Sequence, residues 1–559
     1  MGMKRCIGNR LLFWLCAGLL TAAAGCAREE PTADRQSQAQ VVSEEQVAEP
    51  SAGTTARSAD VVVTSGPLRG HADAGTIAFL GVPYGADTGG EKRFLPPSSP
   101  APWSEVLEAS EFGPRCPQNP LTMAGDTAKV LKLLDTPTSE NCLTLNLWTP
   151  DQTGDQKPVM VWLHGGGFST GTANEEYYHG ANLARDNDVV VVTVNHRLNM
   201  FGFLDLSDVL GEQYAASGNA GIADLVLALE WVRDNAARFG GDPGNVTLFG
   251  QSGGSSKVAT LMGVPAADGL FHKAIMMSGG LQVSEPDPAA TASVLAALGK
   301  TPEEQQANLL GYSSAELLAA LAQGAGGSAM ANPFKPVVDG VLITEPLYAS
   351  AAPAQSADIP LMLGTTADEA TIFTAADPAW VTMDDTALEA RIVGMFGAEA
   401  GASILAHYRA TYPDLKPMHL LSAVMTDTMF TRRALRHADM KVAQQAAPVY
   451  VYKLTWQTPV VEGRLRSPHG LDMPLFFNTV ETARELLGPG DEPVVMGRAM
   501  SRAIAAFART GKPDTDEHPP WPAYDTSARQ TFMFDIPLRI VSDPDAETRR
   551  FWESLEQPQ

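Results

Sequence analysis

The chain has 559 residues, of which 44% are hydrophobic, and it carries a formal net charge of −24 at pH 7. This length allows a large buried core. The negative charge argues against a nucleic-acid partner, because binding to phosphates depends on clustered lysines and arginines. No apolar run reaches the roughly 18 residues that a membrane-spanning helix needs, so none is predicted.

The N-terminal segment has the features of an export signal. Lys4, Arg5 and Arg10 precede an apolar stretch at 11–24 that ends in small residues. A charged start, a short apolar region and a small-residue cleavage site define a secretory signal peptide. Residues 1–25 are therefore predicted to be a signal peptide.

Two cleavage sites are compatible with this segment. The alanines at 22–24 favour an ordinary cut before Gly25, whereas the sequence AAGC, which ends at Cys26, resembles the lipobox of bacterial lipoproteins, with alanine in place of the usual leucine. The ordinary cut would leave Cys26 as an unpaired thiol in an oxidising compartment, since Cys116 and Cys142 are the other mature cysteines and can pair together. Lipidation of Cys26 is the favoured interpretation. It predicts an exported protein, lipid-anchored in the bacterial cell envelope or periplasm.

Residues 26–60 are rich in Glu, Gln, Ser, Ala and Pro and contain no aromatic residue. Such a composition cannot bury enough apolar surface to fold. The segment is predicted to be a disordered tether, long enough to hold a globular domain at 61–559 clear of a membrane surface. Membrane contact is expected only through the lipid anchor.

Six apolar runs rich in β-branched residues follow in the globular part. They read VMVWLH, VVVVTVN, VTLFG, AIMMSG, IPLMLGTT and VYVYKLTW, and they begin at Val159, Val189, Val246, Ala274, Ile359 and Val449. Near-continuous apolar strands are typical of a parallel sheet that is buried on both faces. The expected fold class is α/β, with a mostly parallel central sheet flanked by helices.

Helical patterns separate several of these runs. Apolar residues at helical spacing predict a crossover helix over 224–240 that ends near Gly240. Two segments at about 286–331 and 377–440 lack strong strand patterns. They are predicted to be helical insertions around the sheet, which would shape an active-site gorge.

The sequence HGGGF, residues 164–168, directly follows the first of these runs. Successive glycines allow backbone N–H groups to approach a developing oxyanion without obstruction by side chains. The predicted donors are Gly166 and Gly167. A plain flexible turn is the alternative for this motif taken alone.

The segment VTLFGQSGGSSK has two chemical interpretations. A phosphate-binding loop needs Gly-Lys five residues after its first glycine, but serines occupy those positions and Lys257 comes one place late. A nucleophile turn needs G-x-S-x-G between a strand and a helix, which Gly250, Ser252 and Gly254 supply. Ser252 is therefore the candidate nucleophile, with the N–H of Gly253 as the third oxyanion donor.

A serine nucleophile needs a base and an acid that orients the base. In hydrolases with this motif both residues follow the serine along the chain. The segment LMLGTTADEATIF offers Asp368 and Glu369 as acids, and the residues alone leave both open. Among the later histidines, His469 lies on a predicted loop and is the leading base, His518 is second, and His437 falls in a helical pattern.

Nine stretches between about residue 61 and the C-terminus resemble the type-B carboxylesterase and lipase family. They are FLGVPYG, RFLPP, ENCLTLNLWTP, WLHGGGF, NHRLNMFGFL, GNAGIADLVLALEWVRDNAARFGGDPGNVTLFGQSGG, PVVDG, GTTADEATIF and HGLDMPLFF. The resemblance implies an α/β-hydrolase fold, with Glu369 as the acid and His469 as the base. It also implies that Cys116 and Cys142 form the family's first disulfide.

The chain departs from the family pattern close to these residues. Gln251 stands where the family usually has glutamate, Gly253 where alanine is usual, and Ala370 where a glycine normally follows the acid. None of these changes removes a reacting group.

The motifs together predict a serine carboxylic-ester hydrolase that forms an acyl-enzyme on Ser252 and needs no metal or cofactor. The alternatives are an amide, carbamate or thioester hydrolase with the same triad, and a non-catalytic binding protein on this fold.

In cholinesterases of the family, a tryptophan in the first disulfide loop binds the quaternary ammonium of choline. The loop between Cys116 and Cys142 contains no aromatic residue, so no preference for choline esters over neutral esters is predicted. The expected substrates are small to medium neutral esters.

Overall fold

The computed structural model of the chain describes residues 59–152, 156–280, 282–324 and 334–556. The predicted signal peptide, the lipidation site at Cys26 and nearly all of the predicted tether lie outside the described residues. The division of the chain at residues 25 and 60 stays a prediction. Within the described ranges, no helix is long and apolar enough to cross a membrane.

Thirteen strands of the described residues join into one sheet. They are β1 (Ala59–Val63), β2 (Gly66–Asp73), β3 (Thr76–Pro83), β4 (Leu107–Glu108), β5 (Thr144–Thr149), β6 (Lys157–Leu163), β7 (Val190–Val194), β8 (Gly241–Gln251), β9 (Lys273–Met277), β10 (Leu361–Thr366), β11 (Val449–Leu454), β12 (Gln530–Phe534) and β13 (Arg539–Ser542).

The spatial order of the strands is β1-β2-β3-β5-β7-β6-β8-β9-β10-β11-β12-β13, and β4 pairs with β2. All neighbours from β7 to β12 in this order are parallel. The pairs from β1 to β7 on one side, and β12 with β13 on the other, are antiparallel. The sheet is therefore mainly parallel at its centre, as the apolar runs predict.

Side chains of the central strands alternate between two buried cores, as the pleat of a strand requires. On β6, Val159 and Val161 belong to one core, whereas Met160 and Trp162 belong to the other. Every residue of β6 is buried. Burial on both faces explains the near-continuous apolar runs, and the six runs form β6, β7, β8, β9, β10 and β11.

The α-helices of the described residues are α1 (Thr127–Val130), α2 (Ala181–Asn187), α3 (Asn199–Phe203), α4 (Ser207–Leu210), α5 (Ala220–Asn235), α6 (Gly253–Leu261), α7 (Pro288–Leu298), α8 (Pro302–Gly311), α9 (Ser314–Gly324), α10 (Thr371–Thr374), α11 (Asp385–Phe396), α12 (Ala398–Thr411), α13 (Pro417–Thr426), α14 (Arg432–Val442), α15 (Asp472–Phe476), α16 (Arg484–Leu487), α17 (Glu492–Thr510) and α18 (Ala546–Glu556). A π-helix, Asp427–Thr431, joins α13 to α14.

The predicted crossover helix is α5, which begins at Ala220, four residues before the predicted start at 224. A short 3-10 turn extends it to Phe239, and Gly240 stops it in the left-handed conformation (φ 79°). Arg197, in the loop after β7, forms a buried ion pair with Asp224 on α5 at 2.6 Å. This pair attaches the helix to the loop that follows the neighbouring strand.

Both segments predicted as insertions contain helices. The segment 286–331 contains α7, α8 and α9, although 325–331 lies outside the described residues. The segment 377–440 contains α11, α12, α13, the π-helix and most of α14.

Candidate active site

The candidate nucleophile Ser252 occupies the turn between β8 and α6. Its backbone has φ 57° and ψ −119°, a conformation that residues other than glycine rarely adopt. The N–H of Ser252 donates to the carbonyl of Met277 on β9, at 2.8 Å, which holds the turn. Sharp turns of this kind present a serine hydroxyl at the C-terminal edge of a sheet.

Close backbone packing explains the glycines around this turn. A Cβ on Gly254 would lie 1.9 Å from the carbonyl oxygen of Leu163, and one on Gly253 would lie 2.5 Å from the Cα of Gly167. The start of α6 therefore rests on the HGGGF loop that follows β6. The structure brings the predicted donor residues Gly167 and Gly253 together, and Gly166 precedes Gly167 in the same loop.

The candidate acid and base form a direct hydrogen bond. Glu369 lies just beyond the end of β10 and is fully buried, and His469 lies in the loop before α15. His469 Nδ1 is 2.6 Å from Glu369 Oε2, while Glu369 Oε1 accepts the N–H of Thr366 at 2.8 Å. Since an ionised carboxylate can only accept, Nδ1 is the protonated nitrogen of His469, and Nε2 has a lone pair that can accept a hydrogen bond.

The side chain of Gln251 links the imidazole to the nucleophile turn. Gln251 Nε2 is 3.0 Å from His469 Nε2 and donates to it, given the tautomer that Glu369 imposes. Gln251 is buried and directly precedes Ser252. In the sequence, Gln251 is recognisable only as a variant of the family motif. Its contact with a residue more than 200 positions later carries no local sequence signal.

Two aromatic rings cover His469. The ring centroids of Phe430 and Phe373 are 4.7 and 5.1 Å from that of the imidazole. Phe430 belongs to the π-helix between α13 and α14, a type of irregularity that occurs often at functional sites. The apolar rings limit the access of water to the histidine, and no sequence pattern predicted either contact.

The remaining candidates from the sequence have other partners. Asp368 forms an ion pair with Arg466 at 2.7 Å. The two ring nitrogens of His518 contact the carbonyls of Pro519 and Pro513. His437 lies on α14, where burial lowers its pKa to about 4. Of the alternatives left open by the sequence, the structure pairs Glu369 with His469.

A second carboxyl group lies near this pair. Asp472, the first residue of α15, is fully buried and accepts a hydrogen bond from the hydroxyl of Tyr452 at 2.8 Å. Burial, together with the neighbouring charge of Glu369, raises its pKa to about 7. Asp472 is therefore protonated below about pH 7.

The structure contains the disulfide between Cys116 and Cys142 that the resemblance implies. Its loop is tied to the segment after the HGGGF motif, because the side-chain amide of Gln118 donates to the carbonyl of Gly171 and accepts its N–H, both at 2.8 Å. The disulfide loop therefore lies close to the candidate oxyanion loop.

The chain is similar to known proteins over most of its length. The family model for the carboxylesterase family matches residues 57–552. The chain is 35% identical to the para-nitrobenzyl esterase of Bacillus subtilis (strain 168), over 88% of this chain and 97% of that protein. It is 34% identical to the phenmedipham hydrolase of Pseudarthrobacter oxydans, over 87% and 96% of the two chains.

Solved structures resemble the chain over a similar span. A crystal structure of a carboxylesterase from Geobacillus stearothermophilus has a TM-score of 0.75 at 34% identity, and it covers 88% of this chain and 99% of its own. The thermophilic pNB esterase has a TM-score of 0.76 at 32% identity with the same coverage. The chain therefore belongs to the carboxylesterase family and is a carboxylic-ester hydrolase with the α/β-hydrolase fold.

Proposed function

We propose that Ser252, His469 and Glu369 are the catalytic triad of this esterase. The observation that carries the proposal is the 2.6 Å contact between His469 Nδ1 and Glu369 Oε2. On its other side the imidazole contacts Gln251, the residue next to Ser252. A buried acceptor on Nδ1 orients the ring and stabilises the cation that forms when Nε2 takes a proton.

Acylation follows from these roles. Ser252 Oγ bonds to the carbonyl carbon of the ester while its proton passes to His469 Nε2, and the carbonyl oxygen takes the π electrons and becomes an oxyanion. The N–H groups of Gly166, Gly167 and Gly253 donate to this oxygen. When the carbonyl re-forms, the bond to the alcohol oxygen breaks and that oxygen takes the proton from His469.

Water then repeats the sequence on the acyl-enzyme. His469 removes a proton from water, the hydroxide oxygen bonds to the acyl carbon, and Ser252 Oγ leaves with the proton from His469. Nε2 can serve as the base only when the Gln251 amide gives up its hydrogen bond to that nitrogen. Gln251 therefore holds the imidazole at rest and yields to the serine or water proton during turnover.

The proposed substrates are small to medium neutral esters of simple alcohols. The disulfide loop lies near the oxyanion loop and contains no Phe, Tyr or Trp. A quaternary ammonium group would find no stacked ring there. The excess of acidic residues attracts cations over long range, but salt screens this attraction beyond about 8–10 Å. It therefore does not replace a stacked ring.

The test of this function compares p-nitrophenyl butyrate with p-nitrobutyranilide on the purified enzyme. We expect kcat/KM to be at least about 100-fold higher for the ester, because nitrophenolate leaves unaided whereas the anilide nitrogen needs protonation by a general acid. Butyrylcholine and its neutral isostere 3,3-dimethylbutyl butyrate are expected to differ little in the same panel. Equal or faster cleavage of the anilide would instead favour the amide-hydrolase alternative.

We also propose that the protein is exported and anchored through a lipid on Cys26. The charged start and the lipobox-like AAGC support this proposal, as does the Cys116–Cys142 disulfide, a bond typical of oxidising compartments. The measurement is intact mass of the protein isolated from the cell envelope. A chain that begins at Cys26 with added acyl mass is expected, and an unacylated chain that begins at Gly25 would refute the anchor.

A further inference from the structure

Lys257 is a fully buried lysine beneath the candidate oxyanion loop. It lies on α6, five residues after Ser252. Its Nζ donates to the carbonyl oxygen of His164 at 2.9 Å and lies 5.5 Å from the centre of the Phe168 ring. One side chain therefore contacts both ends of the HGGGF loop.

Burial of an ammonium group is costly unless strong partners replace water. Here burial lowers the pKa of Lys257 to about 7, and the contacts around Nζ are a carbonyl and an aromatic face. The rings of His164 and His196 stack nearby with centroids 4.9 Å apart. Burial also holds the pKa of each ring well below its ordinary value, so neither ring adds a charge. An arrangement this costly calls for a role beyond packing.

The position of Lys257 along α6 suggests that role. Gly253 and Gly254 bring the helix start into backbone contact with Gly167 and Leu163. Lys257 lies four residues after Gly253, about 6 Å along the helix axis. It adds a third attachment between α6 and the loop, one turn below the nucleophile.

We propose that Lys257 is a positioning residue for the oxyanion hole, whose Nζ donates to the His164 carbonyl and so fixes Gly166 and Gly167 over Ser252. The inference rests on the proposed triad and oxyanion donors. Lys257 touches neither substrate nor reacting atoms. Its contribution is realised in the transition state, because misplaced N–H groups weaken binding of the oxyanion more than binding of the planar ester.

The test is Lys257→Met, which removes the donor but keeps an unbranched apolar stem. We expect kcat/KM for p-nitrophenyl butyrate to fall roughly 10- to 100-fold, mainly through kcat, since removing one oxyanion-hole donor outright costs about 10²–10³. The inhibition constant of a trifluoromethyl ketone, which adds to the serine as a tetrahedral oxyanion, is expected to rise by the same factor. KM is expected to change little.

Lys441→Met is the matched control. Lys441 is also buried, and its Nζ donates to the carbonyl of Ala357 at 2.8 Å, but it lies on α14 outside the site. Both variants are expected to lose thermal stability, whereas only Lys257→Met should weaken the ketone. If Lys257→Met does not fold, Lys257→Leu, which likewise lacks a donor, is measured in the same way.

Wild-type kcat/KM in a folded Lys257 variant would overturn the proposal. So would a loss of kcat/KM with an unchanged inhibition constant, because the defect would then lie outside the oxyanion hole. Failure of the triad itself is recognised separately, by an active Ser252→Ala variant.

Discussion

Ser252→Ala is expected to lower kcat/KM for p-nitrophenyl butyrate by about 10⁴-fold or more, because no acyl-enzyme can form without the hydroxyl. The substitution removes one oxygen from a partly exposed residue. Alanine has to adopt the same positive φ of 57° as serine, so the backbone strain at this position is unchanged. The variant should therefore fold with nearly the thermal stability of the parent and lose only its chemistry.

Ser255→Ala is the matched control for this prediction. Ser255 lies three residues later on α6, is fully buried, and its hydroxyl has no hydrogen-bond partner among the described residues. It should retain activity within about threefold, since it loses the same atom without losing a catalytic interaction. A fluorophosphonate should label the parent and Ser255→Ala but not Ser252→Ala. Labelling and turnover that survive in Ser252→Ala would place the nucleophile elsewhere.

The central sheet could be predicted from the sequence because burial on both faces leaves a local signal. Each strand from β6 to β11 contains a near-continuous apolar run. The antiparallel strand β2 gives no such signal: it reads GPLRGHAD, and buried residues alternate with partly exposed ones over most of its length. Pairing with β1 and β3, rather than its own composition, makes this segment a strand.

The nucleophile turn and the oxyanion loop were also predictable, since the spacing of G-x-S-x-G and HGGG is local. The choice between Asp368 and Glu369 was not local, because it depends on Arg466, which lies almost 100 residues away and pairs with Asp368. The resemblance to a family supplied that choice. The contacts of Gln251, Phe430 and Lys257 were missed, since each joins segments that are distant along the chain.

Glu369→Gln is expected to lower kcat by about 10³–10⁴, although the change replaces one oxygen by nitrogen. In the parent, Glu369 accepts from the N–H of Thr366 through Oε1 and from His469 Nδ1 through Oε2. A glutamine has one oxygen and one NH₂ group. The fixed backbone donor of Thr366 needs the oxygen, so the NH₂ group faces Nδ1.

That arrangement reverses the tautomer of His469. Nδ1 has to accept from the new amide, the ring proton moves to Nε2, and a protonated Nε2 cannot take the proton of Ser252. In the opposite orientation the NH₂ group faces the N–H of Thr366, so two donors meet and neither has an acceptor. Because the site is fully buried, each unpaired donor lowers the stability of the fold by about 1–3 kcal/mol. The first orientation therefore loses the base, and the second keeps it only at the expense of stability.

Asp368→Asn makes the same chemical change one residue earlier and decides between the two acids that the sequence left open. Asp368 pairs with Arg466 and accepts from the N–H of Ser467, so its amide should leave kcat within about threefold of the parent. The comparison requires steady-state kinetics and thermal melts of both variants. A large loss of kcat in Asp368→Asn, together with near-normal kcat in Glu369→Gln, would assign the acid to Asp368. That outcome would also contradict the role of Glu369 in orienting the base, which its 2.6 Å contact with His469 supports. If Glu369 orients His469, replacing its carboxylate by an amide has to disturb the tautomer of the imidazole or the stability of the site.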